Sequence, residues 1–82
     1  MTLGERLKEL RTIRSMTLEQ VAETMGMSAA LTVWRWEAGE REPQLARLAA
    51  LAKVYGVTLI DLLAPVEFEA FVSTKDVLPF GD

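Results

Sequence analysis

The chain has 82 residues, of which 50% are apolar and 26% are charged, and this composition predicts one small globular domain. It contains no cysteine and no histidine, which excludes disulfides, thiolate metal sites and catalysis or metal binding by histidine. No apolar stretch approaches the ~20 residues of a membrane span, and Met1–Gly4 lacks the features of a signal peptide. We therefore expect a cytoplasmic, non-enzymatic helical domain with no cofactor and no membrane contact.

Charge is distributed unevenly along the chain. The net charge is −3, yet residues 1–63 hold eight basic and eight acidic groups, so the acidic excess lies in residues 64–82. A neutral body lacks the broad basic surface that is typical of tight DNA binders. Binding to DNA would then depend on a few well-placed arginines.

The first two predicted helices are amphipathic. An apolar stripe repeats at helical spacing near the start of the chain, at Leu3, Leu7, Leu10 and either Ile13 or Arg14. Thr17 and Gln20 have the spacing of a capping box, which predicts that a second helix begins there. The stripe of this second helix contains Leu18, Val21, Ala22 and Met25. Gly26 favours the end of the helix.

A third helix is predicted between Ser28, as its cap, and about Glu37, with Gly39 after its end. At about 100° per residue, one face of this helix contains Ala29, Val33 and Trp36, which can pack on the preceding helix. The opposite arc contains Ala30, Leu31, Trp34 and Arg35. The pattern therefore predicts a helix that is held by one face and presented by the other.

Two more helices are predicted after the polar connector that ends at Pro43. The fourth has a stripe at Leu45, Leu48, Ala49, Ala52 and Tyr55 and stops at Gly56. Thr58 and Asp61 predict the start of a fifth helix, which buries Leu59, Leu62 and Leu63 before Pro65. The fold class is therefore all-α, with a five-helix domain in residues 1–64.

Residues 65–82 form a predicted C-terminal extension with a different pattern. Its apolar residues partly alternate between 66 and 72, which favours a β-strand, although some of them also fit a helical turn. We expect this segment either to hold a dimer together or to fold back on its own helices. The candidate dimerisation residues are Phe68, Phe71, Val72 and Phe80.

Four segments in this order resemble the lambda-repressor-like, Xre-type helix-turn-helix family: residues 4–11, residues 16–23 with Gly26 and Ser28, residues 32–43 and residues 51–59. The resemblance covers about residues 3–63. It implies a five-helix DNA-binding domain in which the second and third helices form the helix-turn-helix and the third enters the major groove.

The resemblance also implies roles for individual residues. Arg11 and Glu37 stand where the family has a structural ion pair between the first helix and the end of the third. The implied DNA contacts are Thr17, Ser28, Ala30, Leu31, Thr32, Trp34, Arg35, Arg41 and Gln44. Arg35 is the best direct reader, because a guanidinium can donate two hydrogen bonds to guanine. Trp36 is assigned to the core, whereas Arg6, Lys8 and Lys53 are assigned to a solvated face.

Two features depart from the family pattern. Leu18 stands where the family commonly has a glutamine that braces a phosphate. Gly26 and Glu37 lie one residue further apart than usual, so either the turn or the start of the third helix carries an insertion.

The leading prediction is a sequence-specific DNA-binding transcriptional regulator, a repressor that binds a two-fold operator in double-stranded DNA as a homodimer. The alternative is a protein-binding module on the same fold, such as an antitoxin that binds a toxin, or an adaptor. An enzyme would need a carboxylate or lysine cluster in a pocket, which the spacing does not predict.

Overall fold

The structure, a computed structural model, describes residues 1–67. Within this range the chain contains no strand and forms five helices: α1 (Leu3–Ile13), α2 (Leu18–Thr24), α3 (Ala30–Ala38), α4 (Leu45–Tyr55) and α5 (Leu59–Leu63). The predicted all-α, five-helix fold is confirmed. Neither the possible strand after Pro65 nor the four candidate dimerisation residues (Phe68, Phe71, Val72 and Phe80) can be placed, because they lie outside the described residues.

Threonine is the N-cap residue of three of the helices. At α2 the Thr17 hydroxyl accepts a hydrogen bond from the Gln20 amide at 3.0 Å, and the Gln20 side chain accepts one from the Thr17 amide at 2.8 Å. Thr58 accepts from the Asp61 amide at 3.0 Å in the same way at α5. Both predicted caps are therefore confirmed. Thr2 forms a further capping box at α1, which the periodicity of that helix did not reveal.

The start of α3 differs from the prediction. Ala29, and not Ser28, is the residue before the helix, with an extended backbone (φ −131°, ψ 120°) and no side-chain hydrogen bond to the helix amides. The prediction that Ser28 caps α3 is wrong because the helix begins at Ala30.

The core is a single cluster to which all five helices contribute. Its most deeply buried side chains are Leu7, Val21, Val33, Leu51, Tyr55 and Leu62, and the buried Trp36 joins them as predicted. The predicted stripe of α4 is partly wrong, because Leu45 and Ala49 are exposed and Leu51 is buried instead. Since α4 is apolar on most sides, two different stripes fit its spacing. No helix within residues 1–67 combines the length and apolar character needed to span a bilayer.

The arginines at the two ends of α1 bind the last carbonyls of other helices. The Arg6 guanidinium donates to the Leu62 carbonyl at 2.9 Å and to the Asp61 carbonyl at 2.8 Å, near the end of α5. Arg14 donates to the Tyr55 carbonyl at the end of α4, at 2.8 Å. These carbonyl oxygens accept no hydrogen bond within their own helices, so the arginines supply the missing donors. The assignment of Arg6 to a solvated face is therefore wrong. Arg14 does not join the buried stripe of α1, and Ile13 is exposed.

Tyr55 is fully buried, and its hydroxyl has no hydrogen-bond partner among the described residues. Burial, followed by the nearby charge of Glu37, raises the pKa of Tyr55 to about 12. A buried donor without a partner destabilises a fold by ~1–3 kcal/mol.

We expect Tyr55→Phe to raise the free energy of unfolding at pH 7 by about 1 kcal/mol, because it removes that unpaired hydroxyl. The unfolded tyrosine ionises near pH 10, whereas the folded one stays neutral until about pH 12. Ionisation of Tyr55 therefore leaves the stability unchanged below pH 10 and lowers it as the pH rises from 10 to 12, because only the unfolded tyrosine ionises in that range. Urea unfolding of both proteins between pH 7 and 11.5 measures this. If the wild type and Tyr55→Phe lost the same free energy of unfolding above pH 10, the raised pKa of Tyr55 would be contradicted.

Candidate nucleic-acid interface

The helix α3 is held on one side and exposed on the other. It packs against both α1 and α2, and Val33 and Trp36 are buried in the core. On the opposite side, Leu31 is 52% exposed and Trp34 is 44% exposed, although large apolar side chains are usually inside. The Arg35 side chain, 41% exposed, lies on the same outward arc. The helix therefore presents an apolar surface with one cation in it.

Two alanines lie on different sides of α3 from those predicted. Ala29 precedes the helix and is exposed, so it does not pack on α2 with Val33 as predicted. Ala30 is half-buried and packs against the core, so its prediction as an outward residue is wrong. Ala29 leaves the helical pattern because α3 begins at Ala30. Ala30 lies about 60° from Val33 around the helix, close enough to share the held side with it.

The end of α3 is fixed to α1 by a bidentate ion pair. The Arg11 guanidinium donates to the two Glu37 carboxylate oxygens, with Nε–Oε2 at 2.7 Å and Nη2–Oε1 at 3.0 Å. Its third nitrogen donates to the Met16 carbonyl before α2, at 3.0 Å. The two side chains are only 16% and 5% exposed. Donation of these hydrogen bonds to Glu37 raises the pKa of Arg11, so this guanidinium remains charged.

The backbone of α1 also touches the backbone of α3. A Cβ atom at Gly4 would lie 2.8 Å from the Trp36 carbonyl oxygen and 2.9 Å from the Glu37 carbonyl carbon. Atoms at such separations overlap, so only glycine fits at this position of α1. The last turn of α3 is therefore positioned by a close backbone contact at Gly4 and by the ion pair at Arg11.

A cleft lies on each flank of the exposed arc of α3. One cleft, of about 260 Å³, separates Trp34 from Lys8 on α1. The other, of about 370 Å³, lies between the turn, α3 and α4, where Ser28 and Thr32 face Arg47. A helix with its side chains is about 10–12 Å wide, which is close to the width of the major groove of DNA. The two clefts therefore leave α3 exposed as a ridge that fits this groove.

Of the eight lysine and arginine side chains within residues 1–67, four are engaged with other groups and four are not. Arg6 and Arg11 form ion pairs, and the longer contact of Arg35 with Glu40, at 3.9 Å, is partly exposed and worth at most about 1 kcal/mol. Within residues 1–67, no ion pair or side-chain hydrogen bond engages Lys8, Arg41, Arg47 or Lys53. Three of these four lie beside α3, because Lys8 and Arg47 line its flanking clefts and Arg41 lines a third cleft at its end.

A sequence model of the helix-turn-helix domain matches residues 2–65. The chain belongs to the helix-turn-helix domain family. Two curated relatives are the HTH-type transcriptional activator BcrR of Enterococcus faecalis, 32% identical over 76 residues, and the HTH-type transcriptional regulator DdrOP3 of Deinococcus deserti, 41% identical over 81 residues. The aligned regions cover 93% and 99% of this chain, but 37% and 61% of the relatives. The chain therefore spans a third to three-fifths of their length. The family is non-enzymatic, as the composition predicts.

In this helix-turn-helix domain, the predicted DNA contacts surround α3 unevenly. Leu31, Trp34 and Arg35 share the outward arc, whereas Thr32 is half-buried on the flank that faces α4. The remaining predicted contacts are exposed outside α3, at Thr17, Ser28, Arg41 and Gln44. In its capping box the Thr17 hydroxyl accepts a hydrogen bond and the Thr17 amide donates one, so the hydroxyl hydrogen and not the amide remains to donate to a phosphate.

Sequence reasoning missed Arg47 as a neighbour of α3. The residue lies on α4, fifteen positions after Thr32, and no periodicity links the two helices. Their proximity follows from the way α4 packs behind the turn, which local patterns do not encode.

Proposed function

We propose that this chain is a sequence-specific DNA-binding transcriptional regulator and that α3 lies in the major groove. The observation that carries the proposal is the exposed arc of Leu31, Trp34 and Arg35 on a helix whose other side is fixed in the core. A recognition helix needs both properties, because a rigid helix presents its readers at constant positions. The names of the two relatives, a transcriptional activator and a transcriptional regulator, support the same function.

Within this proposal, Arg35 reads guanine through O6 and N7, and Leu31 contacts a thymine methyl group. Trp34 lies beside them and contacts either a methyl group or the sugar. Ser28 and Arg41 bind backbone phosphates on the two sides of the helix, together with Thr17 and Gln44. Because the arc has a single cation, apolar contacts contribute much of the base discrimination.

The proposed active form is a homodimer. One recognition helix reads a few base pairs, so two-fold pairing with half-sites ~34 Å apart is the usual route to a useful specificity. Residues 1–64 are the proposed DNA-binding domain and residues 65–82 the dimerisation segment. Val66 is buried, and the Glu67 amide donates to the Met1 carbonyl at 2.9 Å, so this segment departs from beside the start of α1.

Repression is the proposed direction of regulation, because a bound domain that covers a promoter needs no further contact. One relative is named an activator. A promoter–reporter fusion carrying the selected site distinguishes the two directions, since expression falls with a repressor and rises with an activator.

We expect Arg35→Ala to remove the preference for guanine at one position of a site selected from random duplexes, which corresponds to ~1–3 kcal/mol or about 5–150-fold in affinity. Arg35→Lys is the matched control, because it keeps the charge but lacks the two-pronged donor. The lysine variant should keep the salt dependence of the wild-type protein and lose the base preference. Electrophoretic shifts with the site and its single-base variants measure both. Unchanged preferences in both variants would refute the role of Arg35.

A second candidate function is a protein-binding module, such as an antitoxin or an adaptor. The exposed Leu31 and Trp34 favour it, because adjacent apolar side chains are typical of protein interfaces. The salt dependence separates the two functions. DNA binding weakens steeply with salt, with a log–log slope of about −0.9 per phosphate contact, whereas an apolar protein interface changes little.

A further inference from the structure

The cleft between the turn, α3 and α4 differs in charge from the other clefts beside α3. Three other clefts beside α3 each include at least one carboxylate. They lie between the start of α1 and the end of α3 (Glu5, Glu37, Glu42), between α2 and the start of α3 (Glu19, Glu23), and between Trp34 and Lys8 (Glu37). The cleft that contains Arg47 is lined by the turn, Thr32 and Trp36 and includes no carboxylate from the described residues. An anion can therefore approach Arg47 without meeting a negative charge in this cleft.

The polar groups of this cleft come from three separate parts of the chain. Ser28 contributes a hydroxyl from the turn, Thr32 contributes one from the flank of α3, and Arg47 contributes the cation from the first half of α4. Neither hydroxyl makes a side-chain hydrogen bond to the described residues, and Arg47 has no ion pair there. A cation with two adjacent free hydroxyls is the chemistry that binds one phosphate group.

The position of this cleft relative to α3 identifies the phosphate. If Leu31 and Arg35 face the floor of the major groove, the helix fills most of its ~12 Å width. The residues on the flank of α3 then meet the sugar–phosphate ridge that borders the groove. Thr32 and Arg47 are on that flank, so their ligand is a backbone phosphate and not a base.

We infer that Arg47, with Ser28 and Thr32, binds a DNA backbone phosphate at the edge of the groove that α3 occupies. This inference rests on the proposed function and adds a contact from α4 that fixes the position of α3 along the groove. Arg47 reads no base, so it contributes the same binding energy on every sequence.

The test compares Arg47→Ala and Arg47→Gln with the wild-type protein on a selected duplex and on a scrambled duplex of equal length, over a range of NaCl concentrations. Both variants should weaken binding to both duplexes by the same factor, about fivefold at low salt. They should also lower the log–log salt slope by about 1 per bound domain. Lys53→Ala is the matched control, because it removes an exposed cation from the same helix outside the clefts beside α3. It should change neither quantity.

Duplexes in which single phosphates are replaced by neutral methylphosphonates locate the contact. At one position, neutralisation should weaken the wild-type protein and leave Arg47→Ala without further loss. A variant that retains the wild-type slope, or the absence of any such position, would overturn the assignment of Arg47 alone. A wild-type protein that binds no duplex at low salt would overturn the proposed function together with it. Thermal unfolding verifies that each variant is folded.

Discussion

Gly4→Ala is expected to lower the free energy of unfolding by about 2 kcal/mol, which corresponds to a loss of about 10 °C in Tm. The added methyl group would overlap the Trp36 carbonyl oxygen, and backbone atoms cannot rotate away as a side chain does. Alanine otherwise stabilises a helix by up to ~1 kcal/mol, so the sign of the change is informative. Thermal and urea unfolding of the two proteins measure it.

The matched control is Gly26→Ala, where a Cβ atom would meet no other atom within 4 Å. Gly26 has a φ of +71°, so alanine there is strained by ~1–2 kcal/mol without any overlap. The two variants differ in DNA binding as well. At Gly4 the overlap separates α1 from the end of α3, so we expect weaker binding to the selected duplex even where the protein is fully folded. An unchanged or increased stability of Gly4→Ala would show that α1 and α3 do not touch at this point.

Breaking the Arg11–Glu37 pair is expected to have the largest effect on stability. Glu37→Gln should lower the free energy of unfolding by about 3 kcal/mol, because it leaves a guanidinium that is mostly buried without its carboxylate. Arg11→Met should be similarly destabilising, because it strands the Glu37 carboxylate. The double variant Arg11→Met, Glu37→Leu should recover much of the loss, because two apolar residues replace two charges. Urea unfolding of the wild type, Arg11→Met, Glu37→Leu and the double variant gives the coupling energy, expected at about 3 kcal/mol.

The Arg6–Glu9 pair provides the comparison for this cycle. The distance between Arg6 Nη1 and Glu9 Oε1 is 2.7 Å, but the Glu9 side chain is largely exposed. Without Glu9, Arg6 would still donate to two backbone carbonyls of α5. Glu9→Gln should therefore change the stability by no more than about 0.5 kcal/mol. If both pairs gave equally small effects, the Arg11–Glu37 pair would not be what fixes the end of α3.

Much of the fold could be predicted because its boundaries depend on local chemistry. The capping box at Thr17 and the cap at Thr58 involve residues three positions apart, which a sequence shows directly. Gly39 and Gly56 end α3 and α4 in the left-handed conformation that glycine adopts most readily. The assignment of Trp36 to the core likewise needed only the phase of one helix.

The remaining features depend on how helices meet, and local patterns could not predict them. The helix α3 begins one residue later than expected because the backbone at Ala29 is extended. Ala30 packs on the core because it lies about 60° from Val33 around the helix, which the predicted two-sided division of α3 overlooked. The stripe of α4 was ambiguous because apolar residues surround most of that helix. Arg6 was assigned to solvent because its partners, the carbonyls at the end of α5, are more than fifty residues away in the sequence.

The two arginines of α1 and Arg14, which directly follows this helix, influence how the domain unfolds. Arg6 is bonded to the end of α5, Arg11 to Glu37 and to the approach to α2, and Arg14 to the end of α4. Loosening α1 would therefore release its contacts with α3, α4 and α5 together, whereas α2 packs mainly on α3. A substitution far from α3 then lowers the apparent affinity for DNA only where it leaves a substantial fraction of the domain unfolded, because the affinity scales with the folded fraction.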